Sequence, residues 1–181
     1  MQKRNSRFLR LAVFSSFLAA MSIVFGKYLA INLGEVIRIS FENTPIIFAG
    51  LAFGPIAGVC VGIVADLVGC LLVGYAVNPL VTAGAAAIGL VAGILRAFIA
   101  SRGGVSRYFV IIAAIFISHG IGSVLIKTVG LAAFYAMPYY TLLLWRALNY
   151  VIVGALEALI LIPLLSNKRI KEEIKKLGGR V

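Results

Sequence analysis

Apolar residues fill this chain in blocks of about twenty, separated by short stretches rich in polar residues, glycine or proline. In order, the blocks predict a first helix from about Phe8 to Ile31, with Lys27 near its far end, and a short second helix from Pro45 to about Phe53. Gly54-Pro55 breaks the pattern, and a third helix follows from about Ile56 to Leu72. A polar break at 74–79 precedes a fourth helix, about Leu80 to Ala100, and the loop 101–107 precedes a fifth, about Tyr108 to Phe134. Met137-Pro138 separates this from a sixth, about Tyr139 to Leu165. The expected fold class is therefore an all-α integral membrane protein with six transmembrane helices. It forms one domain over residues 1–181, with basic flanks at 1–7 and 166–181. The second block is too short to cross alone and is expected to be tilted, broken or extended by its neighbours. The short alternating segments of a membrane β-barrel are absent.

One segment departs from this pattern. Ile37, Ile39 and Phe41 alternate with Arg38, Ser40 and Glu42, a period of two over too short a span for a helix. An extended outer segment over residues 34–44 is expected between helices 1 and 2, with Pro45 opening the second helix.

Composition agrees with the pattern. The chain is 62% hydrophobic and 13% charged, where soluble domains carry about 45–50% and about 25%. A net charge of +11 would suit nucleic acid, but its placement argues otherwise. Lys3, Arg4, Arg7 and Arg10 lie at one terminus, Lys168, Arg169, Lys171, Lys175, Lys176 and Arg180 at the other, and Arg96, Arg102 and Arg107 flank the loop between helices 4 and 5. Six helices put all three clusters on one side, the cytoplasmic one by the positive-inside rule, leaving only Lys27 and Arg38 at the outer connections. The partner expected is the lipid bilayer, not nucleic acid. The first block is too long for a cleavable signal peptide and lacks its cleavage pattern. Cys60 and Cys70 fall on different faces of one helix and read as packing residues.

The candidate chemistry lies in polar residues inside the apolar blocks: Asp66, His119, Lys127, Arg146, Asn149 and Glu157. A charge at mid-membrane costs about 2.5–3.5 kcal/mol on insertion scales, so each marks a cavity, a partner or a ligand. His119, Ser123 and Lys127 recur every four residues on one helix face, and Arg146 and Asn149 share another. With the topology above, these groups converge on an outward-facing pocket beneath the extended segment. Its excess is cationic, Lys27, Arg38, Lys127 and Arg146 against Glu35, Glu42 and Asp66, which suits an organic anion. The aromatics Tyr75, Phe134, Tyr135, Tyr139, Tyr140 and Trp145 cluster at that end; most suit an interfacial belt, while Trp145 beside Arg146 suits the pocket. Candidate binding residues are Arg38, Phe41, Glu42, Asn43, Asp66, Tyr75, Asn78, His119, Lys127, Trp145, Arg146 and Asn149. A purely structural ion pair such as Asp66–Lys127 competes with this reading, and Glu157 is expected to pair with Arg96 or Arg10. No phosphate-binding loop, metal-ligand spacing or nucleophile–base pair appears, so neither catalysis nor a cofactor is expected. Ala12, Ser16 and Ala20 form a small-residue stripe that admits a neighbouring helix or a partner protein.

These features together resemble the substrate-binding S components of energy-coupling-factor (ECF) vitamin transporters. The stretch Ile37-Arg38-Ile39-Ser40-Phe41-Glu42-Asn43-Thr44-Pro45-Ile46, then Phe53-Gly54-Pro55, Ala65-Asp66 and Tyr75-Ala76-Val77-Asn78-Pro79-Leu80, is similar to the folate-specific members. The resemblance implies a multi-pass protein of a prokaryotic cell membrane that captures folate from outside. It also implies partners, a transmembrane coupling subunit and two ATP-binding-cassette ATPases, with Ala12, Ser16 and Ala20 resembling the family's A-x-x-x-A contact surface. An S component for riboflavin, thiamine or pantothenate would share the architecture, and a non-transport helical scaffold remains the reading from another class.

Overall fold

The computed structural model describes residues 2–33, 37–100 and 105–179, with side chains at 7–31, 39–98 and 106–179. Helix α1 (Gln2–Ile23) ends in a wide π-type turn, Val24–Tyr28. Strands β1 (Ile31–Leu33) and β2 (Ile37–Ile39) pair antiparallel, Ile31 opposite Ile39, Asn32 opposite Arg38 and Leu33 opposite Ile37. Helices α2 (Asn43–Phe53), α3 (Pro55–Val73) and α4 (Pro79–Ala100) follow. Helix α5 (Val105–Ser118) continues through a second wide segment, His119–Ile126, into α6 (Lys127–Tyr135). Helix α7 (Tyr139–Ser166) and a short α8 (Lys168–Lys176) complete the described chain.

Among the described residues, five stretches are long and apolar enough to cross a membrane: Arg7–Tyr28, Pro55–Val73, Pro79–Phe98, Ser106–Tyr135 and Tyr139–Ser166. Helix α2 is not one of them. Its 11 residues rise about 16 Å, half of a hydrocarbon core about 30 Å thick. It is apolar all round and buried from Asn43 to Ala52, the pattern of a helix enclosed by others. Those others are α1, α3, α4 and α7.

Lipid gives little hydrophobic drive for helices to associate, so close backbone packing must hold them together. Glycine supplies it here: Gly58 of α3 lies directly on Gly89 of α4, and a Cβ at Gly50 of α2 would sit 2.6 Å from the Gly89 carbonyl. The apolar core is then closed by Ile46, Ile47, Leu51, Ile88, Ile111, Ile115, Leu161 and Leu165.

Several boundaries differ from the sequence reading. The first helix begins well before Phe8, and Ile31 is already in a strand. Helix α2 starts at Asn43, two residues before Pro45, because Asn43 and Thr44 find buried partners on other helices. The extended segment is shorter than 34–44 and pairs with β1; Glu35 lies outside the described residues, as does the side chain of Arg38. The basic tail is helical: Asn167 accepts from the Arg169 N–H (2.9 Å) to cap α8, and Ile174 on its apolar side is buried. Burial and the neighbouring cations Arg107 and Lys175 hold the Lys171 ammonium of α8 below its usual pKa.

Candidate binding cavity

A cavity of about 540 Å³ opens where α1, α3 and α6 end and α4 and α7 begin. Its walls are anchored by the segment entering α2. Ser22 Oγ donates to the Glu42 carbonyl (2.5 Å), Ser40 Oγ donates to the Phe25 carbonyl (3.3 Å), and the Glu42 N–H donates back to Ser40 Oγ (3.2 Å). Gly26 makes this possible, since a Cβ there would meet Glu42 Oε2 at 2.8 Å. Ser40 and Glu42 thereby face the cavity.

The charged groups of the lining have unequal partners. Lys127, buried on its helix, donates to Glu42 Oε1 (3.3 Å) and Asn43 Oδ1 (3.5 Å). Asp66 accepts a 2.6 Å hydrogen bond from Thr82 Oγ1. Lys27 lies 5.3 Å from the centroid of the Tyr75 ring, a cation–π arrangement. Arg146 donates from both Nε (3.1 Å) and Nη2 (2.7 Å) to the Ser123 carbonyl. Among the described residues only Lys127–Glu42 is an ion pair in this lining, so Lys27, Arg146 and Asp66 keep ionic capacity for a ligand. Tyr75, Tyr135, Trp145 and Tyr150 supply aromatic faces.

Of the expected binding residues, Glu42, Asp66, Tyr75, Asn78, Lys127, Trp145, Arg146 and Asn149 share this one cavity. Asn78 is also a helix cap: its Oδ1 accepts from Leu80 N (3.0 Å), its Nδ2 donates to the Gly130 carbonyl (2.8 Å), and Pro79 takes the first helical position. Asn43 lies one layer below, donating to Ser123 Oγ (3.4 Å). Three expectations fail. Phe41 turns the other way, into an apolar groove of about 580 Å³ between α1, α7 and α8. His119 does not reach the cavity and stacks on Tyr150 inside the bundle. Glu157 pairs with neither Arg96 nor Arg10 but with His119 Nε2 (2.5 Å) and Thr44 Oγ1 (2.9 Å), groups that lie at its own depth. Lys127, for its part, takes Glu42 as its ionic partner in place of Asp66.

Ser40, Tyr135, Thr141 and Tyr150 line the cavity without having been anticipated. Tyr150 was within reach of the pattern: Leu142, Arg146, Asn149 and Tyr150 follow the i, i+4, i+7, i+8 spacing of one helix face. Away from the cavity, Ala12, Ser16 and Ala20 are all exposed on α1, with Ser16 Oγ bonded back to the Ala12 carbonyl (3.0 Å). The stripe is therefore open to the surface of the described chain.

Comparison with known proteins follows the same lines. Residues 10–168 match the sequence profile of the family described as ECF transporter, substrate-specific component. The crystal structure of FolT bound with folic acid superposes with a TM-score of 0.67 at 23% identity, over 87% of this chain and 92% of that one. The S component of a bacterial ECF transporter gives 0.58 at 18% identity, over 91% and 99%. An uncharacterized protein of Mycoplasma pneumoniae, the MG313 homolog, is 36% identical over 70 residues; the match spans 39% of this chain and only 24% of that protein's length. With nearly the whole apolar region matched and the same fold in both solved structures, this multi-pass membrane chain belongs to the family of ECF transporter substrate-specific components.

Proposed function

We propose that this chain captures folate from outside the cell and presents it to an ATP-driven ECF import module. The observation that carries the reading is the cavity's charge pattern: Lys27 and Arg146 stand beside aromatic walls with no ion pair among the described residues. Folate has a dianionic glutamate tail, which suits those two cations, and a flat pterin, which suits aromatic faces and the acceptors Asp66 and Glu42. The fold shared with FolT bound with folic acid supports the same ligand.

In this reading the chain is one domain with both termini cytoplasmic, α2 forming the sixth, partial span joined to α3 at Gly54-Pro55. The exposed Ala12, Ser16 and Ala20 face the coupling subunit, and two ATP-binding-cassette ATPases provide the energy. The test is to identify what co-purifies with the detergent-solubilised protein by mass spectrometry and to titrate the emptied protein with folic acid. A pterin compound and saturable binding are expected; co-purified riboflavin or thiamine, with no response to folic acid, would overturn the ligand.

A further inference from the structure

Behind the cavity wall lies a chain of buried polar groups. His119 and Glu157 are 1% and 0% exposed, the most enclosed titratable pair among the described residues. Glu157 uses one oxygen on His119 Nε2 (2.5 Å) and the other on Thr44 Oγ1 (2.9 Å), in the first turn of α2, where the helix dipole favours a carboxylate. With Nε2 donating to Glu157, Nδ1 is free to accept from Ser123 Oγ at 3.2 Å. Ser123 Oγ in turn accepts from Asn43 Nδ2 (3.4 Å).

The far end of this chain is Arg146. The wide segment His119–Ile126 shifts the hydrogen-bond register, so the Lys127 N–H goes to the Gly122 carbonyl rather than to Ser123. The Ser123 carbonyl takes the Arg146 fork. The second support of that guanidinium is the Tyr150 ring, 5.3 Å from Arg146 Cζ, and His119 stacks on that ring with centroids 4.8 Å apart. Both supports of Arg146 therefore rest on His119.

We propose that the buried His119–Glu157 pair is a positioning unit, which fixes Ser123 and Tyr150 and so aims Arg146 into the cavity. The unit acts on ligand affinity through Arg146 alone. This rests on the reading that Arg146 receives an anionic group of the ligand.

A ligand-free measurement tests it first. In protein labelled with ¹⁵N-arginine and held in detergent, the Arg146 Nε–H resonance, assigned by its loss in Arg146→Lys, is expected to be shifted and slow to exchange. His119→Gln and Ser123→Ala should each move it and speed exchange about tenfold, the scale of one lost hydrogen bond. Ser123→Ala removes only a hydroxyl, so it decides the matter should the histidine variant not fold. An Arg146 resonance indifferent to both variants overturns the proposal. Folic acid titration then measures the coupling: either variant should weaken binding about tenfold, and neither should weaken Arg146→Lys further. Losses that add in the double variants would make the pair a general element of the fold and overturn the positioning role. A wild-type protein that ignores folic acid refutes the folate reading, while the Arg146 resonance still decides this one.

Discussion

Lys127 and Glu42 meet at 3.3 Å across 85 residues of chain, joining the start of α6 to the residue that enters α2. Gly84 of α4 makes the room, because a Cβ there would come within 2.5 Å of Lys127 Cγ. The lysine side chain is 7% exposed and the glutamate 28%, so the pair is neither a surface bridge nor sealed from water. Leaving one buried charge without its partner costs more than removing both.

A double-mutant cycle makes that asymmetry measurable. Glu42→Gln and Lys127→Met are each expected to destabilise the protein by about 1–3 kcal/mol, less than for a fully enclosed pair because the Glu42 side chain is partly exposed. The double variant should cost less than the sum. Thermal unfolding in detergent reads the result, and strictly additive losses would show that the two charges are not coupled.

Thr44 is the only described hydroxyl on Glu157 and lies in a fully buried turn. Thr44→Val keeps the shape and removes the donor, leaving Glu157 Oε1 short of a partner at the cost of about 1–3 kcal/mol. Thr44→Ser should recover most of that loss. Equal melting temperatures for the valine variant and wild type would remove Thr44 from the network.

The long apolar blocks made five membrane helices legible, because length and composition alone decide them. Eight candidate residues fall in one cavity because the end of α3 and the starts of α4 and α7 lie together at its walls. Phe41 and His119 were misplaced for a different reason. Depth along a helix does not give the direction a side chain faces, and local departures from regular helix reset that direction. The segment containing Phe41 is turned by the Ser22 and Ser40 hydrogen bonds, and His119 opens the wide turn that carries Ser123 and Lys127. Glu157 takes the donors at its own level in the bundle, a histidine and a threonine, because a buried carboxylate is satisfied by neighbours in space and not by opposite charge alone. Helix α8 is hard to read from sequence because its charged residues, five of them basic, outnumber the two apolar anchors Ile170 and Ile174.

Two glycines on facing helices give opposite expectations. Gly84→Ala would push its Cβ to 2.5 Å from Lys127 Cγ and 2.7 Å from the Gly122 carbonyl, so α4 must move away from the wide segment. That substitution should cost about 1–3 kcal/mol, the range for overpacking. Gly120→Ala meets nothing within 4 Å and should leave unfolding within about 0.5 kcal/mol of wild type. A Gly84→Ala protein as stable as Gly120→Ala would contradict the packing of α4 on this segment.

Trp145 and Phe41, both aromatic and both candidates from the sequence, lie on opposite sides of the bundle's wall. Trp145 is the chain's one tryptophan, so its fluorescence reports on the cavity with no labelling. Folic acid is expected to quench it, and Trp145→Tyr should retain binding by calorimetry while Trp145→Ala weakens it by about 1–3 kcal/mol, the scale of a ring stacked on an aromatic side chain. Phe41→Ala should quench at the same half-saturating concentration as wild type. Its cost should appear in stability instead, since the ring packs in the apolar groove with Phe25 and Phe48. An affinity loss in Phe41→Ala that exceeds the loss in Trp145→Ala would mean that the ligand sits on the groove side, and the cavity assignment would fall with it.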